Sequence, residues 1–357
     1  MQDFTRRLLD WYARGHRDLP WRKTRDAYRI WISEIMLQQT RAETVVSYYQ
    51  RFLNAFPDVH ALAHADEQEV LKRWEGLGYY SRARNLQAAA KVICEKYGGV
   101  LPSTAQELQT LPGIGAYTAG AIASIAYGQS VAAVDGNVQR VIARYCGLRE
   151  DVTQTDVKRD IAARTQALVP PQGGEDAGAF SNAMMELGAT VCTPSSPACL
   201  LCPVREGCSA FAAGDAQQLP VKRKARAQRV ENRAVALILS EGRVLVRKRT
   251  EKLLGGLWVF PDWEGMTQPV QIARAIDEQL GLQVVYDEPL GHARHVFTHI
   301  IWEMELHAFY SAQRPDIEGC MWVDEKALSQ LPMPTAVSAA RRAALKKLRN
   351  IESFKGI

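Results

Sequence analysis

Apolar residues recur at spacings of three and four along most of the chain up to about residue 212, the period of helices that bury one face. On that pattern helices are predicted over 28–52, 66–75, 81–97, 104–111, 117–127, 138–145 and 156–168, punctuated by proline, glycine and capping Ser or Asp residues. This part reads as an all-α domain. Beyond about residue 228 the period changes. Alternating and β-branched runs at 234–239, 244–249, 257–260, 283–286 and 302–310 predict strands, with helical stretches at 271–280 and 335–349, so a smaller α+β domain follows. Residues 213–228 are polar and basic, with Lys222, Arg223, Lys224 and Arg226, which is the composition of a solvated linker. The expected organisation is 1–212, a linker over 213–228, and a second domain over 229–350. The first fifteen residues carry Asp3, Arg6, Arg7 and Asp10 with no apolar run, and no stretch reaches membrane-spanning length, so neither secretion nor membrane insertion is expected.

A length of 357 residues suits two or three domains. The net charge of +5 permits a polyanionic partner without requiring one. An odd number of cysteines, seven, fits a reducing cytoplasm. Four of them change the picture: Cys192, Cys199, Cys202 and Cys208 are separated by six, two and five residues. Four thiolates in so short a span are metal ligands, and an S4 set admits either zinc or an iron–sulfur cluster. The spacing matches neither a zinc ribbon nor a bacterial ferredoxin run, so the metal stays open on spacing alone. Pro194, Pro197 and Pro203 suit a loop wrapped round a centre, whereas Cys94, Cys146 and Cys320 are scattered.

Two further motifs lie upstream. Leu111-Pro112-Gly113-Ile114-Gly115 falls between helical stretches, and its glycines allow a tight turn that presents backbone N–H groups at the start of the next helix, a geometry that can hold a DNA phosphate. In Val134-Asp135-Gly136-Asn137-Val138 a carboxylate precedes the next helix, where it either carries chemistry or caps that helix.

Hairpin, aspartate and cysteine cage, in that order, resemble the helix-hairpin-helix DNA glycosylases with a 4Fe-4S cluster, the endonuclease III superfamily. The bifunctional glycosylase/lyases of that superfamily carry a lysine nucleophile in the pair after the second hairpin glycine; this chain has Ala116-Tyr117 there, and a tyrosine forms no Schiff base. The chain instead resembles the adenine DNA glycosylases of the MutY type, through Leu19-Pro20-Trp21-Arg22, the run 31–40 (WISEIMLQQT), the run 76–86 (GLGYYSRARNL) and Met185-Glu186-Leu187-Gly188, across essentially its whole length. The resemblance implies a 4Fe-4S cluster on Cys192, Cys199, Cys202 and Cys208. It implies Glu34 as the general acid that protonates adenine, its pKa raised on an apolar helix, and Asp135 as the carboxylate that stabilises positive charge on the deoxyribose. Tyr117 and Asn137 support them. Trp21, Arg22 and Glu186 match pocket positions, and Gly113 and Gly115 match the phosphate-holding hairpin. Gln39, with Thr40 beside it, Leu77 and Tyr79 match residues that probe or wedge the duplex where a base is extruded.

The second domain resembles the Nudix-type appendage of this family. A hydrolytic Nudix box reads R-E-U-x-E-E-x-G-U; here Ala275 and Gln279 replace two of its glutamates in the run 274–282, so a fold kept for recognition is expected rather than a pyrophosphohydrolase. Phe297-Thr298-His299 corresponds to the family's Phe-Ser-His tip that identifies 8-oxoguanine, with threonine in place of serine. The implied activity is monofunctional excision of adenine opposite 8-oxoguanine or guanine in double-stranded DNA, by a monomer. The alternatives are a glycosylase/lyase, a nucleotide pyrophosphohydrolase with an accessory DNA-binding domain, and a silent lesion-binding protein.

Overall fold

The computed structural model describes residues 2–223 and 227–354, so Lys224 and Arg226 of the expected linker lie outside the described residues. In chain order the helices of the first half are α1 (Gln2–Arg14), α2 (Ala27–Leu37), α3 (Ala42–Ala55), α4 (Val59–His64), α5 (Glu67–Trp74), α6 (Ser81–Tyr97), α7 (Ala105–Leu108), α8 (Ala116–Ile125), α9 (Gly136–Cys146), α10 (Thr155–Gln166), α11 (Glu175–Thr190) and α12 (Ser209–Ala212). There follow β1 (Arg229–Ser240), β2 (Arg243–Lys248), β3 (Trp258–Val259), β4 (Asp262–Glu264), α13 (Pro269–Leu280), β5 (Val285–Val296), β6 (Ile300–Tyr310), β7 (Cys320–Val323), α14 (Glu325–Gln330) and α15 (Ser338–Phe354). A helical first part and a mixed second part are what the two periods predict. Two compact units form: Met1–Ala65 with Arg84–Lys224, and Asp66–Ala83 with Ala225–Ile357.

In the first unit, α1, α9, α10 and α11 share a core of Phe4, Leu8, Val138, Ile142, Ile161, Phe180, Met184 and Leu187. The sequence reading finds no element in the first fifteen residues, yet α1 forms there because Phe4, Leu8 and Tyr12 recur every four residues and bury one stripe among charged neighbours. The predicted helix over 28–52 is two helices. The apolar period continues through both, but α2 ends at Leu37, Gln39 adopts a left-handed φ of 58°, and α3 starts after Arg41. The helix α11 lies in a stretch for which the period predicted none.

The second unit is built on a seven-stranded sheet ordered β3-β2-β1-β6-β5, with β4 also pairing β1 and β7 pairing β2. Strand β1 runs parallel to β6, from Arg229 opposite Ile300 to Leu239 opposite Tyr310. Its alternation decides both faces: Val235, Leu237 and Leu239 join the core that includes Val337, Ala340 and Ala344, while Ala234, Ala236 and Ile238 pack with Ile272 and Ile276 of α13. The sequence predicts only 283–286 where β5 spans twelve residues, because most of β5 is exposed and carries no apolar alternation. Residues 66–83 are bound into this unit by side-chain bonds. The indole Nε1–H of Trp258 donates to Gln68 Oε1 at 2.9 Å, Lys72 Nζ donates to the carbonyls of Ser329 and Leu331 at 3.0 and 3.2 Å, and Glu75 pairs with Arg341.

Candidate active site

The first unit contains a cleft of about 750 Å³ whose lining includes Trp21, Arg22, Glu34, Gln39, Thr40, Tyr117, Asp135 and Asn137. The break between α2 and α3 supplies Gln39 and Thr40, which a continuous helix would have carried past the opening. Glu34 sits on α2 between Ser33 and Ile35 and is 3% exposed. Burial pushes its pKa up to about 7; the Asp135 carboxylate acts in the same direction, while the hydrogen bond from Tyr117 and the charge of Arg22 oppose the rise. The Tyr117 hydroxyl, from the first turn of α8, donates to Glu34 Oε2, and the Met185 sulfur lies 3.2 Å from the Tyr117 hydroxyl oxygen.

Asp135 is the N-cap of α9. Its Oδ1 accepts from the Val138 amide at 2.8 Å and its Oδ2 from Asn137 Nδ2 at 2.7 Å. Burial raises its pKa, against those hydrogen bonds and the charge of Arg140, which lower it. The two readings of this aspartate are therefore compatible, since the cap fixes the carboxylate in the cleft wall. Asn137 is fixed in turn by Arg140 Nη2 on its Oδ1 at 2.8 Å, and Arg140 also donates to the carbonyls of Gly188 and Cys192. Gly188 is needed for this closeness: a Cβ there would stand 2.5 Å from Asn137 Cβ.

Glu186 departs from its expected place as a pocket contact. It is 2% exposed, and its oxygens take hydrogen bonds from Arg17 and Arg22, the latter at 2.7 Å. Burial alone would raise its pKa, but the two guanidinium groups outweigh it and hold the carboxyl at about 2. Glu186 therefore fixes the orientation of Arg17 and Arg22. Trp21 is buried with its ring edge-on to Tyr49 at 5.5 Å. Gly113 and Gly115 lie exposed at the turn before α8, where Gly113 has φ of 75° and its missing Cβ makes room for Asn85.

Cys192, Cys199, Cys202 and Cys208 line one apolar pocket at the end of α9. Arg144, 1% exposed, directs Nη1 at Cys192 Sγ (3.3 Å) and the Thr193 carbonyl, Nη2 at the Pro194 carbonyl and Nε at the Leu219 carbonyl. Burial pushes the Cys202 thiol up to about 11, with the neighbouring cysteines adding to the rise. Among the described residues no three His, Cys, Asp or Glu side chains meet in the geometry of a shared metal ion. Sequence reasoning misses Arg17, Arg140 and Arg144. The last two had a signal: arginines four apart on the apolar stripe of α9 are the pattern of buried cations with fixed partners.

The remaining expected residues belong to the second unit. Phe297, Thr298 and His299 form the three-residue tip joining β5 to β6, and Thr298 Oγ1 lies 2.9 Å from Tyr79 Oη. Tyr79 has a left-handed φ of 48° and is 47% exposed, whereas Leu77 is buried. Arg82 holds this turn by donating to the carbonyls of Leu77 and Gly78. In the degenerate Nudix box, Ala275 is packed in the core and Gln279 Oε1 accepts from Trp263 Nε1, so neither position offers a carboxylate to a cation.

Comparison with known proteins finds two domain families in order along the chain. Residues 32–167 match the HhH-GPD superfamily of base excision DNA repair proteins, and residues 234–343 match the NUDIX domain. The adenine DNA glycosylase of Mus musculus is 34% identical over 95% of this chain and 77% of its own length, and that of Homo sapiens 35% identical over 94% and 72%. The adenine DNA glycosylase of Buchnera aphidicola (strain Sg) is 30% identical over 94% of this chain and 96% of its own. Among solved structures a thermostable thymine-DNA glycosylase is 31% identical with a TM-score of 0.54, covering 59% of this chain and 95% of its own. With this identity sustained along nearly the whole chain and both domains matched in order, the protein belongs to the adenine DNA glycosylase family of base excision repair.

Proposed function

We propose that this protein removes adenine lying opposite 8-oxoguanine or guanine in duplex DNA by monofunctional hydrolysis. The observation that carries the reading is Glu34: a buried carboxyl with a pKa of about 7, bonded to Tyr117, in one cleft with Asp135. Adenine leaves poorly as an anion. The Glu34 proton passes to the adenine ring nitrogen N7, the C1′–N9 bond breaks with its electron pair going to the base, and positive charge develops on the sugar. Asp135, fixed by Val138 and Asn137, faces that charge as its carboxylate, and water adds at C1′, its released proton restoring the Glu34 acid, to leave an abasic site. Trp21, Arg22, Gln39 and Thr40 line the space for an extruded base, and the exposed turn at Gly113 and Gly115 presents the amides of α8 to a phosphate. Tyr117 stands where a lyase needs an amine, which favours hydrolysis without strand cleavage.

The four cysteines are read as the ligands of a 4Fe-4S cluster. Four thiols around one apolar pocket, with Arg144 donating towards a sulfur, fit such a group. When bound it supplies structural support to the loop after α11, and no step of the hydrolysis needs it. The tip Phe297–His299, with Tyr79 beside Thr298, is read as the reader of 8-oxoguanine. The pyrophosphohydrolase alternative is disfavoured by the buried Ala275 and the indole-bonded Gln279.

The test is a duplex with a single adenine opposite 8-oxoguanine, and a matched one with guanine. Free adenine, with strand scission only after hot alkali, is the expected result and is faster opposite 8-oxoguanine. Scission without alkali, or no base release, would overturn the reading.

A further inference from the structure

The turn between β5 and β6 leaves its carbonyls to donors from outside the hairpin, the Gln228 side chain and the Arg229 amide. Gln228 Nε2 donates to the Phe297 carbonyl at 2.5 Å and approaches the Thr298 carbonyl at 3.3 Å. Directly after it, the Arg229 amide donates to the His299 carbonyl at 3.1 Å, so each of the three tip carbonyls meets a donor from residues 228–229. Within the hairpin the Phe297 amide closes the turn on the Ile300 carbonyl at 2.8 Å. The Phe297 ring points into the unit, edge-on to Trp302 at 4.9 Å and to His295 at 4.5 Å, while Thr298 and His299 are exposed. Trp302 is itself tied by its Nε1–H to the buried Glu231 at 2.9 Å.

The tip thus divides into residues that hold and residues that present. Phe297 anchors it through its ring, Thr298 and His299 face outward, and the backbone between them is set from the last residue of the linker. We infer that Gln228 is a positioning residue for lesion recognition: its carboxamide fixes the tip carbonyls and with them the placement of the Thr298 hydroxyl and the His299 ring. This rests on the reading of the tip as the 8-oxoguanine reader. A hydrogen-bonding reader discriminates only if its donor and acceptor are held before the ligand arrives, because a loosely held group gives back in ordering what it gains in contact.

The experiment uses the full chain with Gln228→Ala and Gln228→Glu; the second keeps the side chain's size but offers the carbonyls no donor. Single-turnover adenine release is measured opposite 8-oxoguanine and opposite guanine, with amide hydrogen exchange of Phe297 and Arg229 in the free protein. Both variants are expected to lower the rate ratio about five- to tenfold, the scale of one or two lost hydrogen bonds, with a smaller change opposite guanine and faster exchange at the two amides. Gln228→Lys, which restores an N–H donor, should recover most of the ratio. Equal losses on both duplexes, or an unchanged ratio despite faster exchange, would overturn the inference. If the wild-type protein shows no preference for 8-oxoguanine, the lesion-reader assignment fails by itself. Exchange then still decides whether Gln228 holds the tip: acceleration in Gln228→Ala supports the clamp, and unchanged protection sinks it.

Discussion

Glu34 carries the largest consequence of any single residue. It is neutral at the pH where an exposed glutamate would be ionised, and the cause is desolvation on α2. Replacing it with glutamine keeps the shape and removes the transferable proton, so Glu34→Gln should lower single-turnover adenine release by roughly a hundredfold or more while the protein still binds the mismatch duplex. A rate near that of the wild type would take Glu34 out of the reaction. The pH profile has a definite sign. Release should fall as pH rises through about 7, where Glu34 gives up its proton, and should also fall in acid, where Asp135 becomes protonated at a pH above its ordinary range. Stability follows the same group in the same window. The folded state holds a proton that the unfolded chain releases from about pH 4.5 upward, so stability falls as pH rises from about 4.5 to 7, and Glu34→Gln should flatten that part of a denaturation profile.

At the scale of elements, the cleft depends on how α9 and α11 meet. Gly188 lets α11 approach so closely that Asn137 can sit between Arg140 and Asp135. Gly188→Ala places a methyl 2.5 Å from Asn137 Cβ; the helices must part, at a cost of about 1 to 3 kcal/mol, and release of adenine should drop along with the thermal midpoint. A variant with unchanged midpoint and rate would show that the approach is not needed. The other end of α9 holds the cysteine loop through Arg144. Arg144→Met strips donors from the carbonyls of Thr193, Pro194 and Leu219 and from the Cys192 sulfur, so the iron of the proposed cluster should fall per chain and the loop should become protease-sensitive, measured by iron analysis and limited digestion. Iron content equal to wild type would refute the supporting role. These contacts join residues about fifty positions apart, and no local period encodes them. The same is true of the break at Gln38–Arg41: the apolar spacing continues across it, so sequence predicts one helix where the chain turns to line a cleft.

For the molecule as a whole, the division into units decides how the proposed base release and lesion reading can be separated. The second unit takes in residues 66–83, whose Gln68, Lys72 and Glu75 are bonded to Trp258, Ser329, Leu331 and Arg341. Truncation after residue 223 should therefore lower the thermal midpoint as well as the preference for 8-oxoguanine, because α5 loses its partners. Thr298→Ala with His299→Ala in the full chain should shrink that preference and leave the midpoint within a degree or two, since both side chains are exposed. A truncated protein as stable as the full chain would show that residues 66–83 do not depend on the C-terminal half.

The sequence by itself determined the two classes of domain, because helical and strand periods are written locally in which residues are apolar. It also supplied the four cysteines, because metal ligation demands particular functional groups, and through the family's motifs it supplied the candidates Glu34 and Asp135. Only the tertiary structure decided what those groups become. Glu34 owes its raised pKa to burial beside Asp135, and Glu186 its ionised state to two arginines from elsewhere in the chain. Asp135 is aimed by a cap and by Asn137, and the tip at Thr298 is held by Gln228. Desolvation and hydrogen-bond geometry are properties of what surrounds a residue, and those surroundings exist only once distant segments have packed together.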